Sequence, residues 1–545
     1  MTLVGVHSLQ KSFGGRTILR GTDLVIAPEA RIGLVGANGS GKSTLLRILA
    51  GSEDADTGEV ARKRGLRTAF LPQHIPADAR TPLEFVLAAR PDLVELESAL
   101  AACETDLADP QVTADLRRIE RVLERQERLL RRFEEIGGPG FEGEARSYLR
   151  GLGLDDTAIA QPMAELSGGQ RKLVALAACL AQRPDLLLLD EPETHLDLRH
   201  REYLESLIRE FAGAVVIVSH DRYLLDETVS EIAELDRGVI TLWPGNYSAY
   251  TLAREVALQR QQVVYTAQQK EIARLEAAIA RFKLWASIVV NERHIKQARN
   301  KQRQIDRMDK VERPVLQRRT MALELRSAAR GGQKVLELRH ADMAFGDDII
   351  LMDADLLVMR GERVGIIGPN GAGKSVLAKM LTGELTPTNG QRWVGPSITL
   401  GYFAQGHETL DPEATPVDVI RAAKPWYEEQ AVALLGRYLF SYEQARQPIG
   451  TLSGGERSRL QLLLLMLGGD NCLILDEPTN HLDIASAEVL EGALERYDGT
   501  VVVISHDRYF LDRIVDRIVE VHDGELVSFD GGYSAWNERQ QARAG

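Results

Sequence analysis

At 545 residues, with 44% hydrophobic and 27% charged residues, the chain is globular and long enough for more than one domain. A net charge of −13 argues against wholesale coating of nucleic acid, so any such contact is expected to be local. Cys103, Cys179 and Cys472 are scattered and odd in number, which argues against a disulfide framework or a zinc site. No apolar run is long enough to span a membrane, and the start, MTLVGVHSLQKSF, lacks the layout of a secretory signal, so the expected location is the cytoplasm.

In chain order, the first strong pattern is RIGLV (Arg31–Val35), an apolar strand that runs into GANGSGKS and then a helical TLLRILA. Strand, glycine-rich loop and helix in that order are the setting of a phosphate-binding P-loop. Gly36, Gly39 and Gly41, with Asn38 between them, let backbone N–H groups converge on phosphate oxygens; Lys42 supplies a cation, and the hydroxyl of Ser43, followed by Thr44, is placed to hold Mg²⁺. Gln73 follows. Pro91 to Asp106 and Gln111 to Ile136 read as two legs of a helical hairpin, the second closed by Gly137, Gly138, Pro139 and Gly140. This stretch is net acidic, so charge does not mark it as an RNA binder.

LSGGQ (Leu166–Gln170) comes next. LLLLDE (Leu186–Glu191) is a buried-strand pattern ending in paired carboxylates, with Asp190 placed to hold Mg²⁺ through water and Glu191 to polarise an attacking water. VSHDR carries His220, and PGNYSAY spans Pro244–Tyr250.

Between Asn246 and Arg330 there is no glycine, and the only proline is Pro314. Such a run predicts two long helices with a turn near Trp285 to Asn291, each arm of about 35 residues reaching on the order of 50 Å. Ile272, Leu275, Ile279 and Phe282 on the outgoing arm, and Ala298, Ile305 and Met308 on the return, form the apolar seam of an antiparallel hairpin. From Arg254 to Arg330, 18 Lys and Arg face 8 Asp and Glu, a local balance of +10 that suits a polyanion.

Beyond the hairpin the first half repeats. GPNGAGKS (Gly368–Ser375) lies 332 residues after GANGSGKS, and Gln405 matches Gln73 at that offset. LSGGE (Leu452–Glu456), Asp476 and Glu477 in CLILDE, and His506 in ISHDR follow their counterparts by 286. The first copy therefore holds 46 extra residues between Gln73 and Ser167, which places the acidic hairpin as an insertion. The expected fold is α/β: one cassette over 1–254 with an insertion at about 91–140, a helical hairpin over 255–334, and a second cassette over 335–545.

LSGGQ and LSGGE, the histidines of VSHDR and ISHDR, and the two glutamines resemble the signature, switch and Q-loop elements of ATP-binding cassette ATPases, and the match covers both copies. The resemblance implies Mg²⁺-dependent hydrolysis of ATP to ADP and phosphate at two composite sites. The signature sits at a helix N-terminus, which suits an anion, and caps the γ-phosphate held by the opposite cassette. The first P-loop, with Gln73, Asp190, Glu191 and His220, would thus face Ser453, Gly454 and Gly455. The second, with Gly368, Asn370, Gly371, Gly373, Lys374, Ser375, Gln405, Asp476, Glu477 and His506, would face Ser167, Gly168 and Gly169. Mg²⁺ would be held by Ser43, Gln73 and Asp190 in one site and by Ser375, Gln405 and Asp476 in the other. Phe13 and Phe345 stand where such cassettes stack an aromatic on adenine, although a core aromatic reads nearly as well.

Two fused cassettes, an inserted arm and a charged hairpin look like the ABC-F group, as do DEPTNHLD (Asp476–Asp483), SHDRYFLD (Ser505–Asp512) and the GNYSAY and GGYSAW endings. The resemblance implies a monomeric chain whose cassettes pair internally and a ribosomal partner contacted near the tRNA exit site, through rRNA and tRNA, with no DNA and no membrane insertion. Translation factor and antibiotic protection both remain open. The alternatives are the energising subunit of a transporter, for which the basic hairpin has no evident use, and a DNA-structure-binding ATPase, whose relatives carry an additional C-terminal coiled coil not expected here. One departure stands out. The first copy reads DEPETHLD, with Glu193 and Thr194 where the second has Thr479 and Asn480, so hydrolysis at the first site is expected to differ in rate.

Overall fold

The computed structural model describes residues 2–288, 292–308, 323, 325, 332–346, 348–404, 406, 410–480 and 482–544. Each half is built on the same pair of sheets. In the first, a six-stranded sheet runs Thr68–Leu71, Leu186–Asp190, Ala214–Val218, Arg31–Val35, Glu231–Asp236, Val239–Pro244, parallel except for its last strand. Its second copy runs Leu400–Phe403, Cys472–Asp476, Thr500–Ile504, Arg363–Ile367, Arg517–His522, Glu525–Asp530. Leu186–Asp190 and Ala214–Val218 are buried at every position, the mark of parallel strands covered on both faces. A three-stranded antiparallel sheet completes each half, centred on Val4–Phe13 and on Lys334–Phe345.

This strand order brings three carboxyl ends to one edge: Val35 before the P-loop, Asp190, and Val218 before His220. Ligands bind at that edge of an open parallel sheet.

The insertion departs from the expected two-leg hairpin. Its first helix, Pro91–Ala108, packs beside Leu116–Glu135, but the continuous helix expected from Gln111 to Ile136 is broken. A short turn, Pro110–Thr113, ends at Ala114, and the side chain of Asp115 then caps a new helix by accepting from the Arg117 N–H at 3.0 Å. An aspartate competes for backbone donors, so it starts helices more readily than it continues them. The glycines expected to end the leg also open the next helix, Gly138–Gly151, after Gly137 turns at φ 83°.

The central hairpin is present, with its seam as read except at Ile272, which is only half-buried: Leu275, Ile279, Ala298 and Ile305 are buried together, with Phe282 and Met308 packed against them. Its bounds differ. The outgoing helix is Tyr247–Ile288, 42 residues, starting inside the GNYSAY motif because Asn246 Oδ1 accepts from the Ala249 N–H at 3.1 Å. It continues through Trp285 to Ile288, since a few β-branched residues cost a helix only tenths of a kcal/mol each. Of the expected turn at Trp285 to Asn291, residues through Ile288 are helical, and residues 289–291 lie outside the described residues. Of the return arm expected over about 35 residues, the helix Glu292–Asp306 accounts for 15, and residues 309–322 lie outside the described residues. Leu323 and Leu325, ten or so residues before the expected boundary at 335, are buried in the core of the second half. Among the described residues no helix is long and apolar enough to cross a membrane.

Candidate functional site

Each P-loop turns from strand to helix through a glycine in the left-handed region, Gly41 at φ 107° and Gly373 at φ 94°. At Gly41 a Cβ would also lie 2.3 Å from Ile18 Cγ2, so both conformation and space require glycine. Lys42 Nζ donates to the carbonyls of Gly36 (2.8 Å) and Ala37 (3.2 Å), and Lys374 Nζ to those of Gly368 and Pro369 (both 2.8 Å). Both ammonium groups are buried, and burial lowers the pKa of Lys374 against the pull of Glu477. Glu191 and Glu477 stand at φ 47° and 51° directly after their strands. A left-handed glutamate is uncommon and strained, and such residues collect at functional sites.

A cavity of about 980 Å³ assembles the first expected site across the two halves. It is lined by Asn38, Gly39, Gly41, Lys42, Ser43, Thr44, Gln73, Glu191 and His220 from one half and by Ser453, Gly454 and Gly455 from the other. Ser453 caps its helix by accepting from the Glu456 N–H, as Ser167 does from Gln170, so both signature loops end at helix N-termini. At the other end of the interface the Asn370 N–H donates to Asp197 Oδ2 (3.1 Å) and its side-chain amide to His195 O (2.8 Å). His195 in turn lies against Gly168 and Gly169 of the first signature. The mirror contact runs from the Asn38 N–H to Asp483 Oδ2 at 3.3 Å. Gln405 lies outside the described residues. Phe13 and Phe345 are 45% and 51% exposed, so neither is a core aromatic.

Burial sets the charge states. It pushes His220 down to about 4, helped by the Lys42 charge, and holds His506 well below its ordinary value, helped by Lys374. Both imidazoles are therefore neutral near pH 7. Glu477 is pushed up to about 7 by burial and by the adjacent Asp476 carboxylate. Asp190 is raised, chiefly by burial, against a hydrogen bond from Ser43. Its Oδ1 is buried with no hydrogen-bond partner among the described residues. An open carboxylate oxygen beside a hydroxyl is a donor set that suits a hard cation such as Mg²⁺.

The two sites differ where DEPETHLD departs from DEPTNHLD. In the second, Glu477 Oε2 accepts the His506 N–H at 3.3 Å. In the first, Glu193 takes that role: its Oε1 accepts the His220 N–H at 3.0 Å and the Ser219 hydroxyl at 2.7 Å. Glu191 Oε2 instead accepts from Gln73 Nε2 at 2.8 Å.

The ABC transporter family pattern matches residues 19–194 and again 351–480, and a further ABC transporter pattern matches residues 233–325. Over 541 residues the chain is 34% identical to ABC transporter F family member 5 of Arabidopsis thaliana, covering 98% of this chain and 77% of that protein. The chain belongs to the ABC-F family. Within ABC-F it is 35% identical over 543 residues to the energy-dependent translational throttle protein EttA of Haemophilus influenzae, covering 97% of this chain and 94% of that one. The archaeal ribosome recycling factor aABCE1, solved in complex with the ribosomal stalk protein aP1, has the same fold at a TM-score of 0.61 and 18% identity, over 98% of this chain and 92% of that one. This ABC-F protein is an ATPase.

Sequence reading singled out the histidine of each SHDR motif and passed over the arginine. Arg222 forms a buried ion pair with Glu491, and Arg508 forms one with Glu205; each joins the two halves. Arg222 also stacks over Tyr509 at 4.4 Å, and Arg508 over Tyr223 at 4.1 Å. The offset of 286 relates Arg222 to Arg508, Glu205 to Glu491 and Tyr223 to Tyr509. That arithmetic was the available signal, but no sequence pattern says which glutamate an arginine will meet.

Proposed function

We propose that this ABC-F ATPase binds the ribosome near the tRNA exit site, that ATP favours the bound form, and that hydrolysis releases it, modulating translation or protecting the ribosome from antibiotics. The observation that carries this reading is the +10 balance of the hairpin stretch in a chain of net charge −13. Basic side chains on a long projecting helix pair suit RNA phosphates, which give position and salt-dependent affinity. The likeness to a translational throttle protein over nearly the whole of both chains supports it.

In this reading Glu191 and Glu477 accept the proton of the attacking water, while His220 and His506, neutral, offer a hydrogen bond at the γ-phosphate. Lys42 and Lys374 balance phosphate charge, and the signature loops, Ser453 to Gly455 and Ser167 to Gly169, close on it. Mg²⁺, when bound, would be held by Ser43, Gln73 and Asp190, and by Ser375, Gln405 and Asp476, and would withdraw charge from the phosphates. The hairpin domain is taken to begin at Tyr247 and the second cassette near Leu323. The chain is taken to act as a monomer in the cytoplasm.

The test is co-sedimentation of the double variant E191Q/E477Q with ribosomes. Association that requires ATP supports the reading. A variant that stays free while the parent retains ATPase activity would sink it and bring the DNA-binding and transporter readings forward. Replacing Lys283, Arg293, Lys296 and Arg299 with alanine should weaken binding and flatten its salt dependence; an unchanged salt titration would show that these charges only solvate the hairpin.

A further inference from the structure

The first site holds a pair of buried charges that the second lacks. Lys172, on the signature helix of its own half, is 3% exposed, and Glu193 is 5% exposed. The offset of 286 places Ser458 and Thr479 at the matching positions of the second half, so both members of the pair are replaced together. Lys172 Nζ donates to the backbone carbonyl of Glu191 and, at 3.4 Å, to that of Gln73. Glu193 Oε1 receives the Ser219 hydroxyl and the His220 N–H. Ser458, by contrast, only closes its own helix, its hydroxyl donating to Gly454 O at 3.1 Å.

We propose that Lys172 and Glu193 are positioning residues of the first ATP site, Lys172 fixing the backbone of Glu191 from one side and Glu193 that of His220 from the other. The division of labour follows from what each carboxylate touches. In the second site the glutamate that faces the attacking water also holds the switch loop, through the His506 N–H. In the first site Glu193 holds that loop, so Glu191 can change partner or protonation without releasing His220. Neither member stands alone comfortably: a buried cation or carboxylate without its counter-charge is costly. Glu193, Glu191 and Asp190, in that order, offset the burial of Lys172, while Glu193 is itself raised by burial and by the Asp221 charge. This inference rests on the reading of Glu191 as the residue that activates water.

The experiment uses the full chain carrying E477Q, which leaves the first site as the measurable one. Single-turnover hydrolysis, affinity for a fluorescent ATP analogue and thermal midpoint are measured for E193T, K172S and the double variant. E193T is expected to slow hydrolysis about tenfold while the analogue's affinity stays within about twofold, and the double variant, which installs the second site's residues, to recover to within about threefold of the parent. Should E193T fail to fold, E193Q keeps an acceptor for Ser219 and His220 but removes the charge; a smaller slowing that K172S relieves is then expected. An unaffected rate in the Glu193 variant, or a double variant no faster than it, overturns the proposal. E191Q in the same background is the separate control: hydrolysis that survives it overturns the reading of the site itself.

Discussion

In the proposed mechanism Glu477 carries two duties and Glu191 one, and this difference can be measured. Converting Glu477 to glutamine neutralises the acceptor of the His506 N–H as well as the base, whereas Glu191→Gln leaves the His220 N–H on Glu193. Steady-state ATPase is therefore expected to fall further in E477Q than in E191Q, with each single loss on the order of 10²-fold at its own site; equal losses would show that the departure at Glu193 is silent. Gly41→Ala is expected to cost about 1–3 kcal/mol through the left-handed backbone alone, and to displace the P-loop from Ile18. Nucleotide affinity lower by about tenfold or more, with the sheet intact by circular dichroism, would verify it. Residues at this scale were legible where chemistry restricts the choice: a P-loop needs glycine, lysine and serine in fixed order. Lys172 was not legible, because a lysine on a helix surface and a lysine buried behind a catalytic strand look alike in sequence. What distinguishes them is the backbone carbonyl of Glu191, 19 positions away along the chain.

Among the elements, the hairpin shows where pattern succeeds and where it stops. Its seam could be read because apolar residues at helical spacing leave few other faces to bury. Its ends could not, since a cap such as Asn246 or Asp115 acts through one or two backbone hydrogen bonds and leaves no periodic trace. Leu275 is 3% exposed between the two helices, so Leu275→Ala is expected to cost about 2–5 kcal/mol of local stability. Hydrogen exchange should register that loss along Tyr247–Ile288 and Glu292–Asp306 and leave the cassette strands protected. Exchange rising equally across the whole chain would instead mean that the hairpin unfolds only with the cassettes. The burial of Leu323 and Leu325 in the second core was unreadable for a related reason: a short apolar pair after a helical run has no period of its own.

For the molecule as a whole, both ATP sites of the proposed reading depend on the halves meeting. Arg222–Glu491 and Arg508–Glu205 are buried links across that meeting, and removing one partner leaves the other charge without compensation. Arg222→Ala with Arg508→Ala is expected to destabilise the closed arrangement by several kcal/mol, about 3–5 for each link. Small-angle scattering in ATP should then report a larger radius for the variant than for the parent, and the charge swap R222E/E491R should restore part of the compaction. Identical radii would assign closure to the nucleotide contacts alone. The pairing could not be foreseen from either half, because each cassette read by itself shows only a buried-looking arginine and a helix glutamate.

Those two links are copies of a single link turned about an approximate twofold axis, so each half carries both the arginine that reaches out and the glutamate that receives. A surface of that kind is complementary to itself, as in a symmetric dimer of identical subunits. Fusion through the hairpin makes the encounter intramolecular, so the opening and closing of the proposed cycle would be independent of protein concentration and set by tether length and nucleotide. It also frees the halves to diverge: in the proposed mechanism one retains a glutamate with two duties, while the other divides them between Glu191 and Glu193, an asymmetry that two copies of one subunit could not have held.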